Sequence, residues 1–371
     1  MILHLCNDFA GSTVHAELYR RLDALGVPQT VYCPIRDAQL AGNNAFEGQN
    51  TQIVYSLILK KIHRAMFHLK VDAVVADVEK KVDLKAVKCV HATTLFSDGA
   101  VALQLKKKYG IPYVVAVRNT DINVFMRYMP HLWLLHRDII YQAQKVVFIS
   151  PNLQRRTCQH WTLAGMKKVF EQKGEVVANG INDYWLENLQ LTDNVDFPHS
   201  LVYVGKFDDN KNVERLIHAV LELRREIPDI HLDLVGGDGE REEAVMQLVR
   251  DNADVLAYHG KIFDKPLLQS IYLKNSIFAM ISKKETFGLV YLEAMSQGLR
   301  VLFTRGEGID GLFEQKVGEK VNPLSANEIR DALRQLLLHP EQYEKLSAVE
   351  FGRFNWEQIA LHYLEIYNNI I

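Results

Sequence analysis

The stretch SIFAMISKKETFGLVYLEAMSQG, Ser276 to Gly298, sets the fold class of this chain. Its first seven residues form an apolar run of strand length, and its last ten have helical spacing. Between them stands Glu285, with Gly288 three residues on and a second glutamate, Glu293, inside the helical part. A buried strand that enters a helix through a glycine-bearing turn is half of a β–α–β unit. A fold built of such units has a parallel sheet. Read singly, each glutamate is a solvated surface charge, as most glutamates are.

The same alternation fills the rest of the chain. ILHLC, QTVYCP, VKCVHA, PYVVAV and KVVFIS are strand candidates in the first half, and LVYVG, HLDLVGG, VLAYHG, IFAMIS and VLFTRG in the second. Helical patterns lie between them, among them TVHAELYRRLDAL, ALQLKKKYG and VERLIHAVLELRREI, and a last amphipathic helix, NWEQIALHYLEIYNNII, closes the chain. The third of these puts Val213, Leu216, Ile217, Val220, Leu221 and Leu223 on one stripe. The pattern breaks at residues 181–200, which predicts a linker there. The expected fold is α/β, two Rossmann-like doubly wound parallel-sheet domains. The domains are expected at residues 1–182 plus 355–371, and at 183–354.

Composition narrows the function. A net charge of −2 gives no electrostatic footprint for nucleic acid. Four widely spaced cysteines, with no CxxC and no Cys/His cluster, indicate neither a zinc site nor a disulfide framework, so a reduced, cytoplasmic protein is expected. The first residues, MILHLCNDF, read as a strand rather than a signal peptide. No apolar run reaches the length of about 18 residues that a membrane span needs.

Ligands of open α/β sheets sit beyond the carboxyl ends of the strands, so the residues just after each strand are the candidates. Gly288 permits close backbone approach, and the first amides of the helix after it are unpaired donors at the positive end of a dipole, which makes an anion site. Glu293 lies about 7.5 Å down that helix, and Glu285 lies on the other side of the anion site. An ionised carboxylate is acceptor-only and takes two hydroxyl donors. Two carboxylates flanking an anion site suit a polyol–diphosphate–polyol, and a nucleotide sugar is such a molecule. In LVYVGKFDDNKNVERL the strand end carries Gly205 and Lys206, with Lys211 just before a helix that Asn212 is expected to cap. Fixed cations there neutralise a departing diphosphate. Taken alone, such lysines are surface residues more often than not.

GKFDDNKN, VGGDGE, HGKI and ETFGLVYLEAMSQG resemble the C-terminal domain of retaining glycosyltransferases of the GT-B fold, family 4 (glycosyl transferases group 1). The family's signature of two glutamates separated by seven residues is matched by Glu285 and Glu293. HATTLFSDGAVALQLKKKYGIPYVVAVRNTDIN, VVFIS and VVANGIND carry a looser likeness through the first half.

The resemblance implies two domains facing across a cleft that closes on substrate, with the last helix returning to the first domain. It implies transfer of a hexosyl group from a nucleotide-diphosphate sugar, a UDP-sugar favoured. The acceptor would be a saccharide or lipid-linked saccharide in cell-surface polysaccharide synthesis, with no metal and no other cofactor. It implies catalytic roles for His91, Lys206, Lys211 and Glu285. Gly11, Ser12 and Gly205 would close on the donor. The backbone near Lys261 and Ile262 would hold the base, the amides of Phe287, Gly288 and Leu289 the phosphate, and Glu293 the ribose. Thr93, Arg118 and Asp121 would face the acceptor. The other readings of such a fold are a GT-B sugar-nucleotide epimerase and a non-catalytic sugar-nucleotide-binding protein.

Three positions depart from the family pattern. Thr93 stands where a second histidine is usual, Ser12 where a second glycine is usual, and Gly298-Leu299-Arg300-Val301 lacks the usual proline. His91 alone would more often be a satisfied polar residue, and Asp121 a turn former. Asp208-Asp209 reads as a solvated loop, and VGGDGE as a tight turn. SLILKKIHRAMFHLK reads as a helix over residues 56–70, with Lys60, Lys61, Arg64 and Lys70 around an apolar face. Such a helix either packs on the sheet with a wet basic edge or makes peripheral contact with the inner face of a membrane.

Overall fold

The computed structural model describes residues 1–192 and 197–371. Two compact units divide the chain: Met1–Gly180 with Trp356–Ile371, and Ile181–Asn355. Each is a parallel sheet with α-helices between most successive strands; Gln29–Ile35 is joined to Thr51–Leu57, and Arg300–Thr304 to Gly318–Val321, without one.

The first unit holds β1 (Ile2–Leu5), β2 (Gln29–Ile35), β3 (Thr51–Leu57), β4 (Cys89–Ala92), β5 (Tyr113–Val117), β6 (Lys145–Phe148) and β7 (Gly174–Val176). They lie side by side in the order β3-β2-β1-β4-β5-β6-β7. The inner strands are buried on both faces, so they read as continuous apolar runs rather than alternating ones. The chain's last helix, Trp356–Asn368, packs on the helix Thr13–Ala24 and buries Trp356, Ile359, Tyr363, Ile366 and Tyr367 in the first unit's core. Each fully buried side chain of this size contributes roughly 1.5–3 kcal/mol. Gly180 makes room for that helix, since a Cβ there would lie 2.6 Å from the Trp356 ring.

The second unit holds β8 (Ser200–Lys206), β9 (His231–Gly237), β10 (Leu256–Tyr258), β11 (Ile277–Ala279), β12 (Arg300–Thr304) and β13 (Gly318–Val321). Their order, β10-β9-β8-β11-β12-β13, repeats that of the first six strands of the first unit. In both sheets the order reverses beside the first strand, at β1/β4 and at β8/β11, the switch point where doubly wound sheets take ligands. The helix Val213–Leu223 turns five of its six expected residues into the core and leaves Leu221 half-exposed.

The structure corrects several expectations. Residues 56–70 are not one helix. β3 runs through Leu57, a 3-10 turn spans Lys61–Arg64, and a helix begins only at Phe67. VGGDGE is both a strand end and a turn: Val235–Gly237 close β9, and the chain turns at Asp238 (φ 53°) to Glu240. Gly236 takes φ 141°, and a Cβ there would lie 1.8 Å from the Gly205 carbonyl oxygen, so two strand ends meet backbone to backbone. Asn212 sits at the start of its helix in the left-handed region (φ 60°) and makes no cap; its amide donates to the Pro323 carbonyl at 2.7 Å. β7 and β13 are short strands that had no apolar run to announce them. Within 181–200, Asp183–Glu187 is a short helix whose Trp185 is buried against Tyr272, so this part packs on the second unit. Residues 193–196 of that segment lie outside the described residues.

Candidate active site

The second unit's switch point is built by two loops joined by paired hydrogen bonds. One comes after β8 and the other after β11. The Lys283 amide donates to the Asn210 carbonyl at 2.7 Å. The Asn210 side chain completes the join, accepting from the Lys284 amide at 3.0 Å and donating to the Lys284 carbonyl at 3.0 Å. Asp209 pairs with Lys283 at 2.7 Å while its side chain stays largely exposed, so this loop is solvated, as read, and also tied to its neighbour. Asp208 accepts from the Lys211 amide at 2.8 Å and sets the turn that aims Lys211 inward.

Lys211 and Glu285 meet there at 2.8 Å, both largely buried. The other oxygen of Glu285 accepts from the Thr286 amide at 3.0 Å, which fixes the carboxylate plane. Gly288 comes next at φ 77°, the left-handed region, and begins the helix Leu289–Met295. A Cβ at Gly288 would fall 2.5 Å from the Tyr291 ring, so both conformation and space require glycine. The amides of Leu289 and its neighbours open that helix and have no intrahelical acceptor. Phe287 is buried. Lys206, at the end of β8, is exposed with its side chain in solvent.

Glu293 is half-buried one turn into this helix. Burial pushes its pKa up to about 7, while nearby Lys265 and a hydrogen bond with Trp185 pull the other way. Lys261 is exposed and held by Asp238 at 2.5 Å, and Ile262 is half-buried beside it.

A third loop, after β12, was not singled out from the sequence. Glu307 accepts from the Glu285 amide at 3.0 Å, and the Gly308 amide donates to the Glu285 carbonyl at 3.0 Å. The signal was present: Gly306, Gly308 and Gly311 come after a strand end, and all three take positive φ. Arg300, the departure that had no explanation, is buried at the start of β12 over the Tyr343 ring, 5.9 Å from its centroid.

The first unit's switch point has another character. His91, on β4, is in register with His4 on β1. Its Nδ1 lies 2.8 Å from the Tyr367 hydroxyl and 3.3 Å from His4 Nδ1, while Nε2 is buried without a partner among the described residues. His91 is 1% exposed beneath the last helix. Burial holds His4 and His15 down to about 3, and burial with His4 alongside pushes His91 well below its ordinary value. His4 and His15 carried no motif, and only the fold brings them to His91.

Asp121 is fully buried and accepts from the amides of Leu95, Phe96 and Arg118 at 2.8–3.1 Å. It is therefore the clamp on the loop after β4. Burial raises it to about 6 despite those bonds. Thr93 donates to Asp98 at 2.9 Å, and Arg118 Nε donates to the Thr93 carbonyl at 3.1 Å. Gly11 ends a 3-10 turn, where a Cβ would lie 2.8 Å from Asp8 Oδ1, and Ser12 begins the next helix with its hydroxyl making no cap.

Residues 186–349 match the family described as Glycosyl transferases group 1, and residues 11–184 match Glycosyltransferase Family 4. The chain belongs to the family 4, group 1 glycosyltransferases. A relative in Methanocaldococcus jannaschii, an uncharacterized glycosyltransferase, is 23% identical over 299 residues, which cover 78% of this chain and 77% of the relative. Sucrose-phosphate synthase from Thermosynechococcus elongatus has a similar structure, with a TM-score of 0.71 at 20% identity over 99% of this chain and 98% of the other. So does Anabaena HepE in complex with UDP, with a TM-score of 0.71 at 16% identity over 99% of both chains. The fold of this glycosyltransferase is therefore GT-B.

Proposed function

We propose that this glycosyltransferase moves a hexosyl group, with retention at the anomeric carbon, from a nucleotide-diphosphate sugar to a saccharide or lipid-linked saccharide. We take the product to be a cell-surface polysaccharide and the setting to be the cytoplasm, in keeping with four unpaired cysteines among the described residues. The observation that carries the reading is the Lys211–Glu285 pair set against the helix opening at Gly288, on fastened loops at a switch point. UDP is the favoured carrier, supported by the complex that the Anabaena neighbour forms.

In this reading Lys206, Lys211 and the amides of Phe287, Gly288 and Leu289 neutralise the diphosphate as it leaves, which is electrostatic stabilisation of developing charge. The two lysines do this without a metal. The acceptor hydroxyl forms its bond to the anomeric carbon on the face the diphosphate leaves and gives its proton to the departing phosphate oxygen, so neither carboxylate is a nucleophile. The paired carboxylates of retaining hydrolases, by contrast, stand about 5 Å apart for that purpose. Glu285 holds sugar hydroxyls and Glu293 the ribose hydroxyls. The backbone at Lys261 and Ile262 takes the base, and Gly205, Gly11 and Ser12 lie along the donor. His91 contributes through its unpartnered Nε2, which requires its cover to open. Thr93, Arg118 and Asp121 shape the acceptor side, Asp121 as a positioning residue. Residues 183–354 are the donor domain, and 1–182 with 355–371 the acceptor domain.

Thermal-shift titration with UDP, GDP and ADP, with and without magnesium, tests this. A ligand specific for the native state at ~100 times its dissociation constant stabilises it by about 2.7 kcal/mol. One nucleotide should do so without magnesium and with acceptor-dependent release of that nucleotide from its sugar. No shift with any of the three overturns the reading.

A further inference from the structure

The two units carry opposite charge. The first has 23 Lys and Arg against 16 Asp and Glu, a formal +7, and the second has 20 against 29, a formal −9. The near-neutral total hides this. The basic excess is concentrated: no Asp or Glu occurs from Gly48 to Val71, nor from Ile122 to Arg137.

Those two stretches also expose large apolar side chains. Leu57 is 59% exposed, Ile62 53%, Tyr128 67% and Leu134 63%, with Met66, Leu69, Val124 and Trp133 exposed beside them. Lys60, Lys61, Arg64 and Arg127 are exposed among these. The stretches form one surface, because Phe67 and Phe125 touch with ring centroids 5.9 Å apart and both rings lie against Phe96. They leave the carboxyl ends of β3 and β5, the sheet edge that also carries His91, Thr93 and Arg118.

A monomer rarely exposes so many large apolar groups together without using them. Aromatic and aliphatic side chains interleaved with Lys and Arg, and with no acid among them, fit one partner chemistry. The apolar tips enter the acyl boundary while the cations meet anionic headgroups. We propose that this rim of the first unit, residues 57–69 with 124–134, docks on an anionic lipid bilayer. The exposed side chains of loops, 3-10 turns and helix starts make the surface, and no amphipathic helix is needed. The inference goes beyond the transfer reading. It rests on that reading only for its purpose, which is to bring a lipid-linked acceptor to the edge that holds Arg118.

Vesicle flotation tests it. The intact chain should float with phosphatidylcholine vesicles holding ~30 mol% phosphatidylglycerol and stay down with phosphatidylcholine alone. Each cation near such a surface is worth about a factor of five, so Lys60→Gln/Lys61→Gln/Arg64→Gln should weaken binding roughly a hundredfold. Tyr128→Asp/Leu134→Asp should abolish it. Both variants should keep the nucleotide thermal shift, which reports folding and the donor site separately. Failure of that shift in the unaltered chain would break the transfer reading and leave docking standing. No flotation with either vesicle, or flotation untouched by both variants, overturns the proposal. So does a concentration-dependent dimer in sedimentation velocity that these variants dissolve, since the acidic second unit of another copy would then be the partner.

Discussion

At the strand reversal of the first unit, His4 and His91 stand side by side under Tyr367, neutral and buried. At the same reversal in the second unit, a lysine and a glutamate meet on two loops fastened by an asparagine. Strand order, parallel register and the βα connections are common to both. The differences lie at and beyond the strand ends: β1 and β4 give buried rings covered by the last helix, while β8 and β11 give charges and unpaired helix amides. A switch point thus supplies a place for a ligand, and the residues after the strands decide whether it holds an anion. Function therefore has to be argued from the site even when the fold is known.

The severest test of the contrast is Lys211→Ala. Removing one preorganised charge-stabilising donor costs roughly 3–4 kcal/mol in the barrier. Transfer per folded molecule should fall by about two to three orders of magnitude, and the unfolding midpoint should fall as well, because the Glu285 carboxylate is left largely buried without its cation. Initial-rate turnover with saturating donor reads the effect, and an unchanged rate would leave the pair with Glu285 a purely structural tie.

Acid should then separate the units. His4 and His15 have folded pKa values of about 3, below the ordinary unfolded value, so their contribution is complete above about 6.5 and is lost as pH falls. His91, also lowered, acts in the same sense. Asp98 and Asp121, raised by burial to about 6, protonate in the same window and return part of the loss. The net loss from these five groups between pH 7 and pH 5 is about 3 kcal/mol, and His136, lowered by burial to about 4, adds to it in the same sense. The protection factors of the β4 amides, corrected for the slower intrinsic exchange in acid, should fall over that range. In the second unit, burial works to raise Asp233, but hydrogen bonds from His231, Asn275 and His259 outweigh it and lower the carboxyl to about 2. Its contribution is therefore intact between pH 7 and pH 5 and is lost only from about pH 4 downward, through about 2. Equal acid sensitivity at β4 and β9 would remove the contrast.

Asp121→Asn is a smaller probe of the first unit alone. An amide cannot accept all three backbone hydrogen bonds, and one buried donor is left facing an NH2. The expected loss is about 2 kcal/mol, read by urea unfolding.

These probes also mark how far the sequence could be read. The stretch from Ser276 to Gly298 displayed its strand, its glycine and its carboxylates in order, because one β–α unit is local. The alternation of strands gave two parallel sheets for the same reason. The partners of each residue were not local. Nothing near Glu285 announces that its backbone is held by Glu307 and Gly308, twenty-two and twenty-three positions on. Likewise nothing near His91 announces Tyr367, 276 residues away. The helix expected at 56–70 failed because exposed apolar residues imitate a buried face, and periodicity cannot tell an unpartnered surface from a core.

Glu293 carries the finest distinction. Its folded pKa of about 7 lies above the ordinary glutamate value, so the unliganded unit favours the protonated form, and this contribution to stability is lost as pH rises from about 4.5 through 7. Ribose hydroxyls reverse the preference, because an acceptor-only carboxylate takes both donors and a protonated one does not. Nucleotide binding should therefore release a proton near neutrality and tighten about tenfold between pH 6 and pH 8. Glu293→Gln should bind more weakly and without that slope. A binding curve flat in pH for the intact chain and tightened by Glu293→Gln would mean that the half-buried carboxyl meets the nucleotide protonated or not at all. The second unit's distinctive chemistry would then contract to Lys211, Glu285 and the helix opening at Gly288.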